Sequence, residues 1–385
     1  MTYQFHELVA DLYRTFGTPA TMLDPHNRVL AFSDQPVELT DQVRRTNLLV
    51  NAVDTELGKA VVRHVNDFAH TVSVMTRIPA APELGLLERV VIPLLVNGVA
   101  TAYIYLIDPD GRVRAEDLEP FHPAFAAVAK QVELERLARF RVRAAVAGIV
   151  SGDETERRVA ADTLDDIGMV NLPSPLRAAV LMAETPVDTI SDHLWGRVLG
   201  PFSVWSEIAG RIVAILGNLT ESSFDRVRSH ADSVSSHGKQ VRLFVGLGSP
   251  VAELAHTHLS YRQALRALRL AQSPGTGTRI AVWEELGAWR LILTLSQDEA
   301  TASVDPRVQR LVGGEDMTTL KMVRRYLERE AEAEAIAEEH HLHRTTLYAR
   351  FRRMQDRYGL RWDLAEDRLA TILGIRITLL YGRRT

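Results

Sequence analysis

The stretch AEAIAEEHHLHRTTLYARFRRMQDRYGL, residues 333–360, carries two patterns on one helix. Leu347, Phe351, Met354 and Tyr358 follow at steps of four, three and four, the spacing of an apolar face turned to a core. Arg344, Thr345, Tyr348 and Arg352 fall opposite that stripe, with Arg353 and Arg357 at its edges. From Arg344 to Arg361 six arginines stand against one acid, Asp356. A helix packed on one side and basic on the other suits the major groove of DNA. Arginine grips guanine or phosphate there, and Thr or Tyr reaches a backbone oxygen or a thymine methyl. A short helix predicted over 332–339 and a tight link through His340–His343 complete a helix-turn-helix. The plainer alternative is a basic amphipathic helix on any protein surface; the coincidence of motif and basic face favours DNA. The candidate contacts are Arg344, Thr345, Thr346, Tyr348, Arg352 and Arg353, with Leu347, Phe351 and Met354 holding the helix in place.

Outward from this segment, the chain reads as all helical after the breaks Asp305-Pro306 and Gly313-Gly314, with helices expected over 317–329, 345–357 and 363–380. Upstream the pattern alternates. After Ser151-Gly152-Asp153 a helix is expected over 153–167, a strand over 176–182 and a helix over 187–198. Strands over 202–207 and 211–216 flank the turn Ala209-Gly210. A helix over 221–236, a strand over 241–245 and a helix over 251–271 follow. That βαββαβ-like order predicts an α+β sheet covered by helices on one side. Past the break at 274–277, a short strand and a helix are expected within 280–295.

The first part of the chain predicts a second α+β layer. A helix over 4–15 precedes short strands over 20–23 and 29–32, joined by Asp24-Pro25-His26-Asn27. Helices are expected near 40–51 and 55–64, then a strand near 71–77. Val90 to Ile107 runs 18 residues without a charge, long enough to test as a membrane span, yet Pro93 and Asn97-Gly98 interrupt it. Asn-Gly between β-branched and aromatic residues signals a two-residue hairpin, so two strands are expected. From 118 to 150 a long helix follows, with Phe121, Phe125, Val128 and Val132 on one stripe before it shifts to Leu134 and Leu137. The shift interrupts a continuous heptad and leaves a coiled-coil dimer open without selecting it. Arg136, Arg139, Arg141 and Arg143 on this helix read as a solvated face.

The 385 residues, at roughly 150 per domain, give two to three domains. The expected division is 1–117, a connecting helix over 118–150, 151–304 and 305–385. Hydrophobic residues at 46% and charged residues at 24% exclude a disordered chain. Zero cysteines exclude a disulfide scaffold, a thiolate zinc site and a cysteine nucleophile, and fit a reducing compartment. The N-terminus lacks the basic start and apolar stretch of a signal peptide, so a cytoplasmic location is expected. A formal net charge of −4 speaks against a polyanion partner only when averaged over the chain. Residues 321–385 hold 14 basic against 10 acidic side chains, and the remainder is acidic. Lys59, Lys130, Lys239 and Lys321 are the lysines; the other basic residues are arginines.

LHRTTLYARFRRM, 342–354, resembles the C-terminal helix-turn-helix of the PucR/CdaR class of bacterial regulators, whose pattern runs hydrophobic-His-Arg-Asn-Thr-Leu-x-Tyr-Arg. His343, Arg344, Thr346, Leu347 and Arg350 stand at matching positions, while Thr345 replaces the usual Asn, Ala349 the usual Tyr and His340 a usual core Leu. GLGSPVAELAHTHLSYRQALRALRLA, 246–271, is similar to the Gly-x-Gly, Ser-Tyr-x-x-Ala, Ala-Leu stretch of the GGDEF-like domain in that class. The first part is similar, by order of elements, to a GAF- or PAS-type sensor. The resemblance implies a multidomain fold: an α+β GAF/PAS-like sensor, an α+β degenerate GGDEF-like domain and an all-α helix-turn-helix domain. Diguanylate cyclases carry an acidic turn that binds metal and nucleotide phosphate. The corresponding turn SEIAGR, 206–211, has Glu207 as its one carboxylate, too few for two metal ions. A non-catalytic relay or dimerisation domain is therefore expected, with no cofactor.

Sharper chemistries compete with blander ones at several places. His340, His341 and His343 crowd together, but consecutive side chains diverge and no H-E-x-x-H is present, so a structural turn is favoured over a metal site. Gly246-Leu247-Gly248 opens like a dinucleotide loop, but Val251 stands where the third glycine would be. No G-x-S-x-G elbow supports a catalytic triad. Tyr103 and Tyr105 share one sheet face and could line a ligand cavity, although sheet packing is the commoner role. The leading expectation is a DNA-binding transcriptional regulator that pairs with double-stranded DNA as a homodimer or higher oligomer, with a small-molecule effector and no membrane. The competing classes are a nucleotide or cyclic-dinucleotide enzyme or binder, resting on Glu207, and a scaffold whose basic helix docks on an acidic protein.

Overall fold

The structure, a computed structural model, describes residues 2–25, 27–33, 56–69, 73–167, 172–183, 192–218, 221–232, 234–236, 239–273, 275–329 and 333–382. The helix expected near 40–51 lies outside these residues. The chain divides into two compact units, one formed by Met1–Val142 with Ser235–Gln240, the other by Arg143–Val234 with Val241–Thr385.

In the first unit, helix α1 (Thr2–Phe16) is followed by strands β1 (Ala20–Leu23) and β2 (Val29–Phe32), then helix α2 (Glu56–Ala69) and strands β3 (Thr76–Ile78), β4 (Arg89–Val96) and β5 (Val99–Ile107). The sheet order is β2-β1-β5-β4-β3, and every pairing is antiparallel. Asn97 and Gly98 both take positive φ, 50° and 80°, and close β4 onto β5 with Val96 opposite Val99. The left-handed geometry that Asn-Gly tolerates thus makes the uncharged stretch a sheet centre. Alternation along β5 sends Ala102, Ile104 and Leu106 to one face, where α1 supplies Phe5, Leu8, Val9 and Leu12. Tyr103 and Tyr105 point to the other, beneath Val61 and Val65 of α2. Helix α3 (His122–Ile149) begins on the first face through Phe125, Val128, Ala129 and Val132. The strand expected near 71–77 is confined, among described residues, to Thr76–Ile78. No helix among the described residues is long and apolar enough to cross a membrane.

The second unit begins with helix α4 (Glu154–Ile167), followed by β6 (Leu176–Ala183), α5 (Asp192–Leu199), β7 (Ser203–Ile208), β8 (Arg211–Gly217) and α6 (Glu221–Asp232). Next in the chain is a short hairpin of β9 (Val234–Ser236) and β10 (Lys239–Val241), whose residues Ser235–Gln240 belong to the first unit, and the helix expected to reach 236 stops at Asp232. Strand β11 (Leu243–Leu247), helix α7 (Thr257–Ala271) and strand β12 (Ile280–Val282) complete a sheet ordered β12-β11-β6-β8-β7. It is mixed, because β11 and β12 run parallel and the remaining pairs antiparallel.

Helices cover both faces of this sheet, not one as its order of elements predicted. Trp195, Val198 and Leu199 of α5 and Val227 of α6 bury against Ala179, Leu181, Leu243 and Val245. Gly246, paired with Val180, faces α7 on the other side. A β-carbon at Gly246 would overlap the Ala264 carbonyl and the Leu268 amide, and one at Gly248 would overlap the Ser260 backbone. The two glycines therefore let a helix approach a strand closely.

The remainder is helical: α8 (Trp289–Thr294), α9 (Gln297–Ala302), α10 (Pro306–Gly314), α11 (Met317–Glu328), α12 (Ala333–Glu339), α13 (Arg344–Tyr358) and α14 (Ala365–Tyr381). Asp305-Pro306 is a helix start as well as a break. The Asp305 carboxylate accepts from the Arg307 amide at 2.7 Å, and Pro306 occupies the first helical position, where a missing N–H costs nothing. Gly313-Gly314 ends that helix. Helices α10 to α14 share one core built from Val308, Leu311, Leu320, Val323, Ile336, Leu347, Phe351, Trp362 and Ile375.

Candidate nucleic-acid interface

The turn before α13 is built from backbone bonds. At the end of α12 the Leu342 amide donates to the Ala337 carbonyl at 2.8 Å and the His341 amide to Glu338 at 3.0 Å, with His341 in the left-handed region at φ 53°. This six-to-one and five-to-two pattern is a Schellman stop, usually built on glycine. His343 then caps α13: its Nδ1 accepts from the Thr345 amide at 3.3 Å and lies 2.8 Å from Thr345 Oγ1. His341 and His343 thus serve the turn, and no group of three or more metal-ligating side chains occurs among the described residues.

Leu347, Phe351, Met354 and Tyr358 are buried, as their spacing predicts, and at roughly 1.5–3 kcal/mol each their burial fixes the rotation of α13. Arg344, Thr345, Thr346, Tyr348, Arg352 and Arg353 are all exposed. At about 100° per residue, Thr345, Ala349, Arg352, Arg353 and Asp356 occupy the centre of the outward face. Arg344 and Tyr348 lie at its edge, not opposite the stripe. The Arg344 guanidinium sits 5.6 Å from the Tyr348 ring centre, and Tyr348 meets Tyr326 of α11 edge-on at 6.0 Å. Tyr326 in turn packs on Phe351, ring centres 4.6 Å apart and planes tilted by 37°. One row of rings therefore orders Arg344 and Tyr348 from the core outward.

Arg350 has a different task. Its Nη2 donates to Thr319 Oγ1 at 2.6 Å, and Thr319 Oγ1 donates to the Asp316 carboxylate at 2.6 Å, which also caps α11 through the Thr319 amide. These bonds hold Asp316 ionised below the usual carboxylate range, Thr319 being the chief cause. Arg350 thus fastens the helix to its neighbour, and Arg357 Nη1 lies 3.7 Å from the Glu315 carboxylate just ahead of α11. Asp316 ahead of Thr319 is a cap signal in the sequence; its partner Arg350 is not local and could not be read from it.

Elsewhere, Glu207 is exposed beside the tight β7–β8 turn, where Ala209 and Gly210 both take positive φ. Arg143, read as part of a solvated face, instead lies 4.8 Å from the Trp205 ring centre. In the first unit Tyr103 and Tyr105 are brought together, ring centres 6.4 Å apart, and are buried with Val61, Ile78, Leu86 and Val91. Burial pushes both phenols up, so both stay protonated.

Residues 151–270 match the family model of a GGDEF-like domain, and residues 319–377 that of the PucR C-terminal helix-turn-helix domain. The GGDEF-like family is a degenerate, non-catalytic variant, in line with the single carboxylate Glu207 and against the enzyme alternative. The crystal structure of a regulator of polyketide synthase expression from Bifidobacterium adolescentis aligns at 18% identity over 64% of this chain and 92% of its own, with a TM-score of 0.27. No curated protein matches this chain. Loosely, then, the chain resembles a PucR/CdaR-family regulator, and its helix-turn-helix domain suggests a DNA-binding regulatory role.

Proposed function

We propose that the chain is a sequence-specific, DNA-binding transcriptional regulator of the PucR/CdaR type, working in the cytoplasm as a homodimer or higher homo-oligomer. The observation that carries this reading is the division of α13 between a buried stripe and an outward face bearing Thr345, Thr346, Arg352 and Arg353. Ala349 on that face is small enough to allow close approach to base edges, and Arg344 with Tyr348 meets the backbone at the rim. The α+β region over 1–117 acts as a GAF/PAS-like sensor, in keeping with a five-stranded antiparallel sheet under helices. Tyr103 and Tyr105 are its proposed contacts to a small-molecule effector. The helix over 118–150 and the region over 151–304 relay the state to the reader over 305–385.

The test is selection of genomic double-stranded DNA fragments by the purified full chain. Recovery of a shared site, lost in an Arg352→Ala/Arg353→Ala variant that remains folded, is the expected result. Enrichment no better than for random fragments would overturn the reading.

A further inference from the structure

The middle of α3 carries an apolar face that no described residue covers. Leu134, Leu137 and Phe140 are 54%, 46% and 70% exposed, whereas Phe125, Val128, Ala129 and Val132 of the same helix are buried. At about 100° per residue, Lys130 lies in line with Leu137. Leu134 and Arg141 flank that line on one side, Glu133 and Phe140 on the other. Lys130 and Arg141 are exposed, and Arg141 has no ion pair among the described residues. Glu133 is fixed as an anion by Arg136, whose Nε and Nη2 both donate to it at 2.9 Å.

The sequence around Leu137 is complementary to its own reversal. Three residues away stand Leu134 in one direction and Phe140 in the other; four residues away stand Glu133 and Arg141. We propose that this face pairs antiparallel with the same face of a second copy of the chain, about a twofold axis at Leu137. Leu137 then meets Leu137 of the partner subunit, Leu134 comes level with Phe140 of the partner subunit, and Glu133 with Arg141 of the partner subunit. Such a contact is isologous and closes at two copies. A parallel pairing in register would set Arg141 against Arg141 and Lys130 against Lys130, which is unfavourable at a helix seam. Charge therefore selects the antiparallel direction that the apolar residues alone leave open.

The pairing rests on the homo-oligomer of the proposed function and is independent of DNA binding. The chain has no cysteine, so single cysteines report unambiguously. Full-length Leu137→Cys, oxidised without DNA, is expected to give a covalent dimer on a non-reducing gel. Lys130→Cys is expected to give none, because antiparallel helices place those two α-carbons about 21 Å apart along the axis, against a limit of about 7 Å for a disulfide. Glu133→Arg should weaken the dimer about three- to tenfold by sedimentation, and adding Arg141→Glu should restore it. Failure of Leu137→Cys to cross-link, self-linking of Lys130→Cys, or absence of charge rescue would each overturn the pairing. DNA binding retained without the Leu137 cross-link would sink the pairing alone, and a cross-linked dimer that binds no DNA would sink the DNA reading alone.

Discussion

Ser273 Oγ donates to the Leu379 carbonyl at 2.5 Å, joining the loop after α7 to the last helix of the chain. Thr276 Oγ1 fastens the same loop to the Leu270 and Ser273 carbonyls at 3.0 and 2.9 Å. Around it Leu270, Ala271, Ala281, Ile377 and Leu380 form one buried cluster. The helix-turn-helix region therefore shares a core with the GGDEF-like region.

The tightest point of that junction is Gly275. A β-carbon there would lie 2.5 Å from the Leu379 carbonyl oxygen and 2.9 Å from its α-carbon, both backbone atoms of a packed helix. Gly275→Ala should cost about 1–3 kcal/mol in denaturant unfolding, the range for overpacking. Ser273→Ala should cost about 1 kcal/mol, the loss of one hydrogen bond. A Gly275→Ala protein as stable as the parent would show that the junction yields.

The arginines of α13 divide by task. Arg352→Ala and Arg353→Ala should each leave unfolding unchanged and flatten the logarithmic salt dependence of DNA affinity by about 1 for each phosphate no longer neutralised. Arg350→Ala should instead lower thermal stability, because it strips Thr319 and Asp316 of their partner on α13, with the salt slope retained. Fluorescence anisotropy across a salt series, beside a melting curve for each variant, separates the two groups.

What the sequence disclosed follows the range of the interactions involved. The Leu347–Tyr358 stripe, the Asn97-Gly98 hairpin and the Ala209-Gly210 turn are local, and each stands where periodicity or turn chemistry puts it. The role of Gly246 and Gly248 was hidden because it depends on α7 crossing a strand that lies more than ten residues upstream. Asp305-Pro306 reads as a break, although Asp at the cap followed by Pro at the first helical position is also a start signal, and the structure shows that a helix begins there. Arg344 and Tyr348 stand at the edge of the outward face by helical spacing alone, three residues before and one after Leu347; that Tyr348 packs there against Tyr326, on another helix, is seen only in three dimensions.

The turn before α13 offers a stabilising change. His341 at φ 53° holds a position that most side chains reach only at a cost, and glycine reaches it freely. His341→Gly should raise stability by about 0.5–1 kcal/mol, after allowing for the greater freedom of glycine in the unfolded chain. Because the His341 side chain is not among the proposed DNA contacts, affinity should be retained. A loss of stability in denaturant titration would show that the imidazole makes a contact worth more than the backbone strain.

Acid should loosen the helix-turn-helix region through Asp367. This carboxylate is buried at the start of α14 and accepts from Arg307 Nη1 and Nη2 at 3.1 and 2.8 Å and from the Arg361 amide at 2.7 Å. Arg307, and after it the Arg361 amide, hold its pKa below the usual value; Asp305 is lowered in the same way by Arg307. A carboxyl whose folded pKa lies below its unfolded value of about 3.9 binds protons more readily when the chain unfolds. Its contribution is therefore complete above about pH 5 and is lost as the pH falls through 4 towards the folded value. The share of the unfolding free energy that Asp367 supplies should be constant from pH 7 to about 5 and decline below about 4. Asp367→Asn should lower it at pH 7 by about 1–2 kcal/mol, the scale of a charge-assisted hydrogen bond partly exposed to solvent, and should make the acid decline shallower. Urea titrations of parent and variant at pH 7 and pH 3.5 measure both effects, and an equally steep decline in the variant would assign the acid sensitivity to other carboxylates.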